Sequence, residues 1–266
     1  MPETHKLIDI HCHIIPDIDD GARDWNESLA MARLAVEDGI GTIIATPHQL
    51  GAHSKNTSKM IRTRVDQARQ IFSQQHLPLE ILPGGDIRIE PDLVGKICNG
   101  EALPLTGESR YVLLELPHEI FLPIDQILMS LKRLGLTGIL SHPERNQGIL
   151  GNPDIVDQLV SSGCLMQLTA GSLLGRFGQA VQGLSENLIT EGLVHFLATD
   201  SHGSKSRRPL LRRAFDRVTE LTSIEIATTL CRSNPAAIVA DKLVQPGRLA
   251  YKRSIFNNLF KRKKVS

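Results

Sequence analysis

Short apolar runs alternate along the chain with longer stretches of helical period. Leu7 to Ile10, Thr42 to Ala45, Leu79 to Leu82, Tyr111 to Leu114, Thr137 to Leu140, Cys164 to Leu168 and Val194 to Ala198 are four or five residues each, and they read as buried strands. Between them, Asp24 with Glu27 three positions on opens a helix carrying Leu29, Ala32 and Val36, which Gly39 can end. A polar helix over Ser58 to Gln74 follows, and Pro91 suits the first turn of a short one. Further helices are expected over Ile124 to Leu134 and Asp154 to Ser161, then a long helical region ending near Gly192, and helices from Pro209 to the tail. Seven strand-helix units without a change of pattern predict an α/β fold with a parallel sheet. They favour a closed TIM-like (β/α)7 barrel over an open doubly wound sheet.

Composition narrows the class. The 266 residues fit one large domain, expected over residues 1–250, followed by a basic tail over 251–266. Aromatics are only 4%, so Ala, Ile, Leu and Val must fill the core, which suits helices packed on parallel strands. A net charge of +1 gives no global attraction to nucleic acid, and no nucleic-acid partner is expected. Cys12, Cys98, Cys164 and Cys231 are scattered with no C-x-x-C, which argues against a disulfide framework or thiolate zinc site. No stretch of eighteen apolar residues and no signal-like leader are present, so a cytoplasmic protein is expected. Neither G-x-G-x-x-G nor G-x-x-x-x-G-K-[ST] occurs.

The residues just past each strand carry the chemistry. In a parallel barrel these gather on one face. Here they are His11, His13, Asp20, His48, Asp86, Glu115, His142, Asp200 and His202, so six of seven strand ends supply an imidazole or carboxylate. In a regular strand, His11 and His13 share a face and Cys12 takes the other. A mixed imidazole and carboxylate set without thiolate suits Mn, Fe or Zn. Nine candidates exceed the needs of one ion, so two or three divalent ions are implied. Paired ions about 3.5 to 4 Å apart favour hydrolysis, most naturally of a phosphate ester. A cysteine phosphatase is excluded, because the residues six past the four cysteines are Ile18, Pro104, Ala170 and Ala237, none of them Arg.

The set D-I-H-C-H, D-D-G, T-P-H, G-G-D-I-R-I, L-L-E-L, S-H-P-E-R and T-D-S-H resembles the polymerase and histidinol phosphatase (PHP) superfamily. Within it the chain is most similar to the bacterial manganese-dependent tyrosine-protein phosphatases of capsular and exopolysaccharide operons, the CpsB/YwqE type. The resemblance runs from about Lys6 to Asp241. It implies a distorted seven-stranded barrel of the PHP type with three metal ions, manganese foremost. It puts His11, His13, Asp86 and Asp200 on one ion, Asp86, Glu115 and His142 on a second, and Asp20, His48 and His202 on the third. It also implies that Arg145 and Arg207 hold the phosphate, which planar guanidinium groups do bidentately, with Arg208 as the adjacent alternative to Arg207. His48 or His202 would return a proton to the leaving group. The implied partner is a phosphotyrosine protein, a membrane-bound tyrosine autokinase.

Two departures from the pattern stand out. Asp86 occupies a bridging position where Glu is usual, and Gly203 follows the last histidine where Asn is common. Two other readings therefore remain: a PHP phosphoesterase acting on a small metabolite such as histidinol phosphate, and an inactive phosphotyrosine-binding adaptor. His5, His53, His76, His118 and His195 match no ligand station and read as surface or structural histidines. Asp9 and Asp19 are placed to orient ligands or to cap local turns. In the tail, Ile255, Phe256, Leu259 and Phe260 share one helical face flanked by basic residues, which suits peripheral contact with an anionic membrane or a solvated end.

Overall fold

The computed structural model describes residues 6–250. Among them are nine parallel strands: β1 (Leu7–Cys12), β2 (Ile40–Ala45), β3 (His48–Gln49), β4 (Glu80–Pro83), β5 (Asp86–Arg88), β6 (Tyr111–Glu115), β7 (Thr137–Ser141), β8 (Leu165–Thr169) and β9 (Phe196–Ala198). All seven expected strands are present, and β3 and β5 are short continuations that the sequence pattern does not separate. The strands form two sheets, β1-β2-β4 and β3-β5-β6-β7-β8-β9.

The split has a local cause. Thr46-Pro47 interrupts the chain between β2 and β3, and Gly84-Gly85 interrupts it between β4 and β5, because proline cannot donate to a ladder. Both breaks fall at one level, where Asp86 N–H donates to the Pro47 carbonyl at 3.1 Å. Gly85 is required there, since a Cβ would lie 2.1 Å from Gln49 Oε1. At the other edge, β9 meets β1 only past its own end: Asp200 N–H donates to His11 O (2.8 Å) and His13 N–H to Ser201 O (2.9 Å). The expected closed barrel is thus corrected to a ring of parallel strands without one continuous ladder.

Alternation along the strands sorts side chains into two layers. Ile10, Ile44, Tyr111, Leu113, Ile139, Leu165, Phe196 and Ala198 meet inside the ring. Leu7, Cys12, Ile43, Val112, Leu114, Leu140, Met166 and Leu197 pack outward with the helices. In β1, Asp9 pairs with Ile43 and Cys12 with Ala45, so three steps oppose two. This β-bulge shifts the phase by one residue. Ile8 and Ile10 face the inner layer below it, and Cys12 joins the outer layer above it.

The helices that cover the strands begin with α1 (Trp25–Asp38), where Asp24 accepts from Glu27 N–H and Gly39 ends the helix at φ 94°. Then come α2 (Ser58–Gln74), α3 (Leu93–Cys98), α4 (Asp125–Arg133), α5 (Gln147–Gly151) and α6 (Asp154–Ser161). The expected long helical region before Gly192 is two helices, α7 (Ala170–Leu173) and α8 (Gln179–Thr190), separated where Gly175 and Gly178 adopt positive φ. After α9 (Arg212–Leu221), the last helical segment is Asn234–Val239.

The expectation of helices through to the tail is corrected from that point. Residues 240–250 return without helix beneath the ring, where Val244 N–H donates to Tyr111 Oη (2.8 Å) and Leu249 N–H to Gly192 O (2.7 Å). The basic tail lies outside the described residues. All four cysteines are free, Cys98 exposed and the other three buried. Among the described residues no helix is long and apolar enough to cross a membrane.

Candidate metal centre

The inward face of the strands changes character toward their C-terminal ends. Two residues beyond inner Leu113 stands Glu115, two beyond Leu165 stands Gln167, and two beyond Ala198 stands Asp200. Above the bulge, His11 and His13 turn inward together, their Nε2 atoms 3.2 Å apart. Asp19-Asp20-Gly21 folds over His13, with Ala22 N–H donating to the His13 carbonyl (3.1 Å). Gly21 allows that approach, because a Cβ would sit 2.3 Å from the same carbonyl oxygen. Three residues reach the site through left-handed backbone that non-glycine residues rarely adopt: His142 (φ 34°), Asp200 (φ 48°) and Arg207 (φ 46°).

All nine residues expected as ligands come together at this end. One donor atom each from His13, Asp20, His48 and His202 lies within 4.8 Å of the others. The same holds for His11, Asp86 and His142, for His11, His13 and Asp200, and for His48, Asp86 and Glu115. His48 thus stands between two groups, its Nε2 3.5 Å from Asp20 and its Nδ1 3.3 Å from Asp86 and 3.4 Å from Glu115. His13 likewise stands in two groups, its Nε2 beside that of His11 and its ring centroid 3.9 Å from His202 and 4.5 Å from His48.

Hydrogen bonds behind the imidazoles fix which nitrogen is free. Gln167 spends its amide N–H on Leu168 O (2.8 Å), so its Oε1 accepts from His11 Nδ1 (2.8 Å). Asp19 Oδ2 accepts from His13 Nδ1 (2.7 Å), and the Asp200 carbonyl accepts from His202 Nδ1 (3.0 Å). Each Nε2 then carries its lone pair into the site, an arrangement typical of metal-ligating histidine. Asp9 acts one step further out, accepting from Thr199 N–H (2.9 Å) and its hydroxyl (2.5 Å), and so ties β1 to the segment that carries Asp200. Burial pushes the Asp9 carboxyl up to about 6.

The residues fit divalent ions. Both Asp86 oxygens are buried without a hydrogen-bond partner, as is His48 Nδ1. A fully buried carboxylate whose nearest polar groups are imidazoles at 3.3 and 3.5 Å is costly unless positive charge, as protons on those rings or as a metal cation, compensates it. Burial opposes charge on His11, yet Asp86 and Asp200 outweigh it and draw the imidazole up to about 9. Burial likewise opposes charge on His48, but Asp86 and Glu115 raise it to about 11. A field that holds protons this strongly favours a multivalent cation in the same space. Burial, with the nearby His202, depresses His13 to about 3, and burial with Arg145 depresses His142, so both stand neutral.

Two guanidinium groups close one side. Arg145 Nη1 and Arg207 Nη2 (2.6 Å) both donate to Asp200 Oδ2. Arg145 also lies 4.5 Å over the Phe177 ring. At the rim, His118 stacks on His142 with centroids 5.7 Å apart, and His53 lies 5.3 Å from His48. Both read from the sequence as surface or structural residues, and the fold sets them against the site. Gln167 does not stand out in the sequence, because the sixth strand carries no imidazole or carboxylate. Period-2 counting from Leu165 is the signal that finds it. His195 is structural, accepting from Met166 N–H at Nδ1 and donating from Nε2 to Gly247 O.

A ring of parallel strands whose C-terminal ends hold imidazoles, carboxylates and arginines is the architecture of a metal-assisted hydrolase. The chain belongs to the capsular polysaccharide synthesis CpsB/CapC family, whose model matches residues 7–240. It is 39% identical over 203 residues to the tyrosine-protein phosphatase YwqE of Bacillus subtilis, covering 76% of this chain and 79% of that protein. It is 28% identical over 244 residues to the tyrosine-protein phosphatase CpsB of Streptococcus pneumoniae, covering 90% of this chain and all of that protein. A solved structure from work on YwqE and CpsB, described as metal-dependent tyrosine phosphatases, superposes with a TM-score of 0.87 at 34% identity. That match covers 92% of this chain and all of the other.

Proposed function

We propose that this chain is a metal-dependent protein-tyrosine phosphatase acting on a phosphotyrosyl protein of capsular or exopolysaccharide synthesis, a membrane-bound tyrosine autokinase. The observation that carries the chemistry is the junction of two guanidinium groups with a cluster of nine imidazoles and carboxylates at Asp200. Family membership and relatives named as tyrosine-protein phosphatases support the substrate class.

His11, His13, Asp20, His48, Asp86, Glu115, His142, Asp200 and His202 would hold two to three divalent ions, with manganese best suited and iron or zinc also compatible with the donors. Such ions supply Lewis-acid polarisation of phosphoryl oxygens and a lowered pKa for the attacking water. Arg145 and Arg207 bind the outer phosphoryl oxygens and stabilise the charge that grows there. Asp200 aims both guanidinium groups before substrate arrives, and Phe177 supports Arg145 from behind. The tyrosyl leaving group, with a pKa of about 10, departs without a strong acid. His48 or His202 supplies its proton only where that imidazole is not held by metal, and the His48 side chain is the more accessible at 18% against 7%.

The tail sequence, with four apolar and several basic residues, supports placement near an anionic membrane. Vesicle co-sedimentation that survives removal of the residues after Tyr251 would eliminate that role. Catalysis is tested by stripping the protein with chelator, restoring Mn and comparing initial rates on phosphotyrosyl and phosphoseryl peptides and on histidinol phosphate. Mn-dependent turnover favouring phosphotyrosine is expected. Preference for histidinol phosphate would move the enzyme to metabolite hydrolysis, and absence of turnover on all three would leave an adaptor.

A further inference from the structure

Beside the metal centre, where α7 and α8 approach the segment before α9, lies a cavity of about 200 Å³. Leu174 and Phe177 form apolar wall, and Arg176, Arg208 and Arg213 join Arg207 in its lining. Arg176, Arg208 and Arg213 are exposed, and none of them forms an ion pair among the described residues. Some exposed arginines elsewhere are paired with carboxylates, as Arg69 is with Asp66 and Arg248 with Asp157, and Arg33, Arg88 and Arg133 stand unpaired but far apart in the chain, whereas here three gather on one cavity. Three unpaired guanidinium groups around one cavity make an anion-seeking surface rather than a solvated face.

The cavity is continuous with the phosphate seat. Arg207 belongs to both: its Nη2 is spent on Asp200, while its Nε is buried without a partner. Phe177 also belongs to both, walling the cavity and lying under Arg145. Thr169 adds a second unsatisfied group, its buried Oγ1 on the lining. A space of 200 Å³ far exceeds the roughly 30 Å³ share of one water and admits a single side chain, not a helix or strand.

We infer that this cavity is a specificity subsite that takes a carboxylate side chain, Asp or Glu, close in sequence to the phosphotyrosine of the substrate. The subsite rests on the phosphotyrosine reading given above and deepens it. Phosphoryl oxygens engage Arg145 and Arg207, and the neighbouring carboxylate engages Arg176 and Arg213 across the apolar wall. The enzyme thereby prefers phosphotyrosines set in acidic sequence, and part of that preference is screened by salt.

The test uses the full-length protein and two fluorescent phosphotyrosyl peptides, one with Asp and Glu flanking the phosphotyrosine and one with Asn and Gln in their place. Binding is read by anisotropy, and turnover of a small aryl phosphate is read in the same preparation. Wild type binds the acidic peptide more tightly. The double variant Arg176→Gln, Arg213→Gln loses that preference by about fivefold, as two partly exposed charge pairs predict, while aryl phosphate turnover stays unchanged. Equal affinity of wild type for the two peptides, or an equal loss on both in the double variant, overturns the subsite. Acidic-peptide preference without aryl phosphate turnover sustains the subsite and removes the phosphatase reading. Turnover without preference does the reverse.

Discussion

The two halves of the ring interior share strands and share a face, yet nothing else. In the lower half Ile10, Ile44, Leu113, Ile139, Leu165 and Phe196 form a dry plug. In the upper half His11, His13, Asp86, His142 and Asp200 are buried almost as deeply, but as charged and titratable groups. Burial alone therefore does not define the core of this protein. Apolar burial drives folding, whereas buried carboxylates and imidazoles resist it unless they are compensated. The division is tolerable because the plug and the outer apolar layer stabilise the ring while the upper half waits for cations.

The strongest way to break the comparison is to mutate one group in the upper half. His142→Ala should lower phosphatase turnover on the order of a thousandfold, about 4 kcal/mol of barrier, with the urea midpoint of the metal-free protein unchanged or raised. Full turnover in that variant would remove His142 from the site. Phe196→Ala in the plug should do the opposite, lowering unfolding free energy by about 3 to 5 kcal/mol while aryl phosphate turnover survives in the cold. A Phe196→Ala protein of normal stability would show that the plug is not where stability resides.

Smaller effects sharpen the boundary. Gln167 sits where the two halves meet and fixes the His11 ring, so Gln167→Ala should weaken metal binding about 10- to 100-fold in chelator competition, with little change in denaturant midpoint. His195 offers a pH test far from the metal centre, because burial lowers it to about 4. The unfolded chain, with an ordinary imidazole near 6.5, binds the proton first as pH falls. Stability is therefore complete above about pH 6.5 and declines as pH drops toward 4, by about 2 kcal/mol at pH 5. His195→Gln should flatten that decline in urea titrations at pH 7 and 5, and an unchanged slope would assign acid lability to other groups.

Much of this division is legible in the chain itself. Short Ile-, Leu- and Val-rich runs are unambiguous as strands, and the residue just past each run is visible without any coordinates. Hence all nine imidazole and carboxylate residues that converge at the strand ends are visible in the chain. What stayed hidden depends on pairing between distant segments. The breaks at Pro47 and Gly84 are plain in the sequence, but whether they fall at one level, splitting the ladder, depends on β2 and β4 lying side by side. The separation of α7 from α8 hinges on glycines whose φ is set by packing. Gln167 carries no sequence signal because an amide is not a usual metal ligand, and its role exists only once His11 faces it.

The bulge in β1 has a chemical consequence. Were the strand regular above Ile10, Cys12 would face inward and the two imidazoles would face away. A soft sulfur would then border the cluster, shifting its affinity toward thiophilic metals and placing an oxidisable thiol beside an ion capable of redox cycling. One extra residue in the strand instead lodges Cys12 Sγ against Ser201 Oγ, 3.0 Å away in the outer layer. In this sense the bulge acts as a filter on metal identity, written in backbone spacing and not in the choice of ligand.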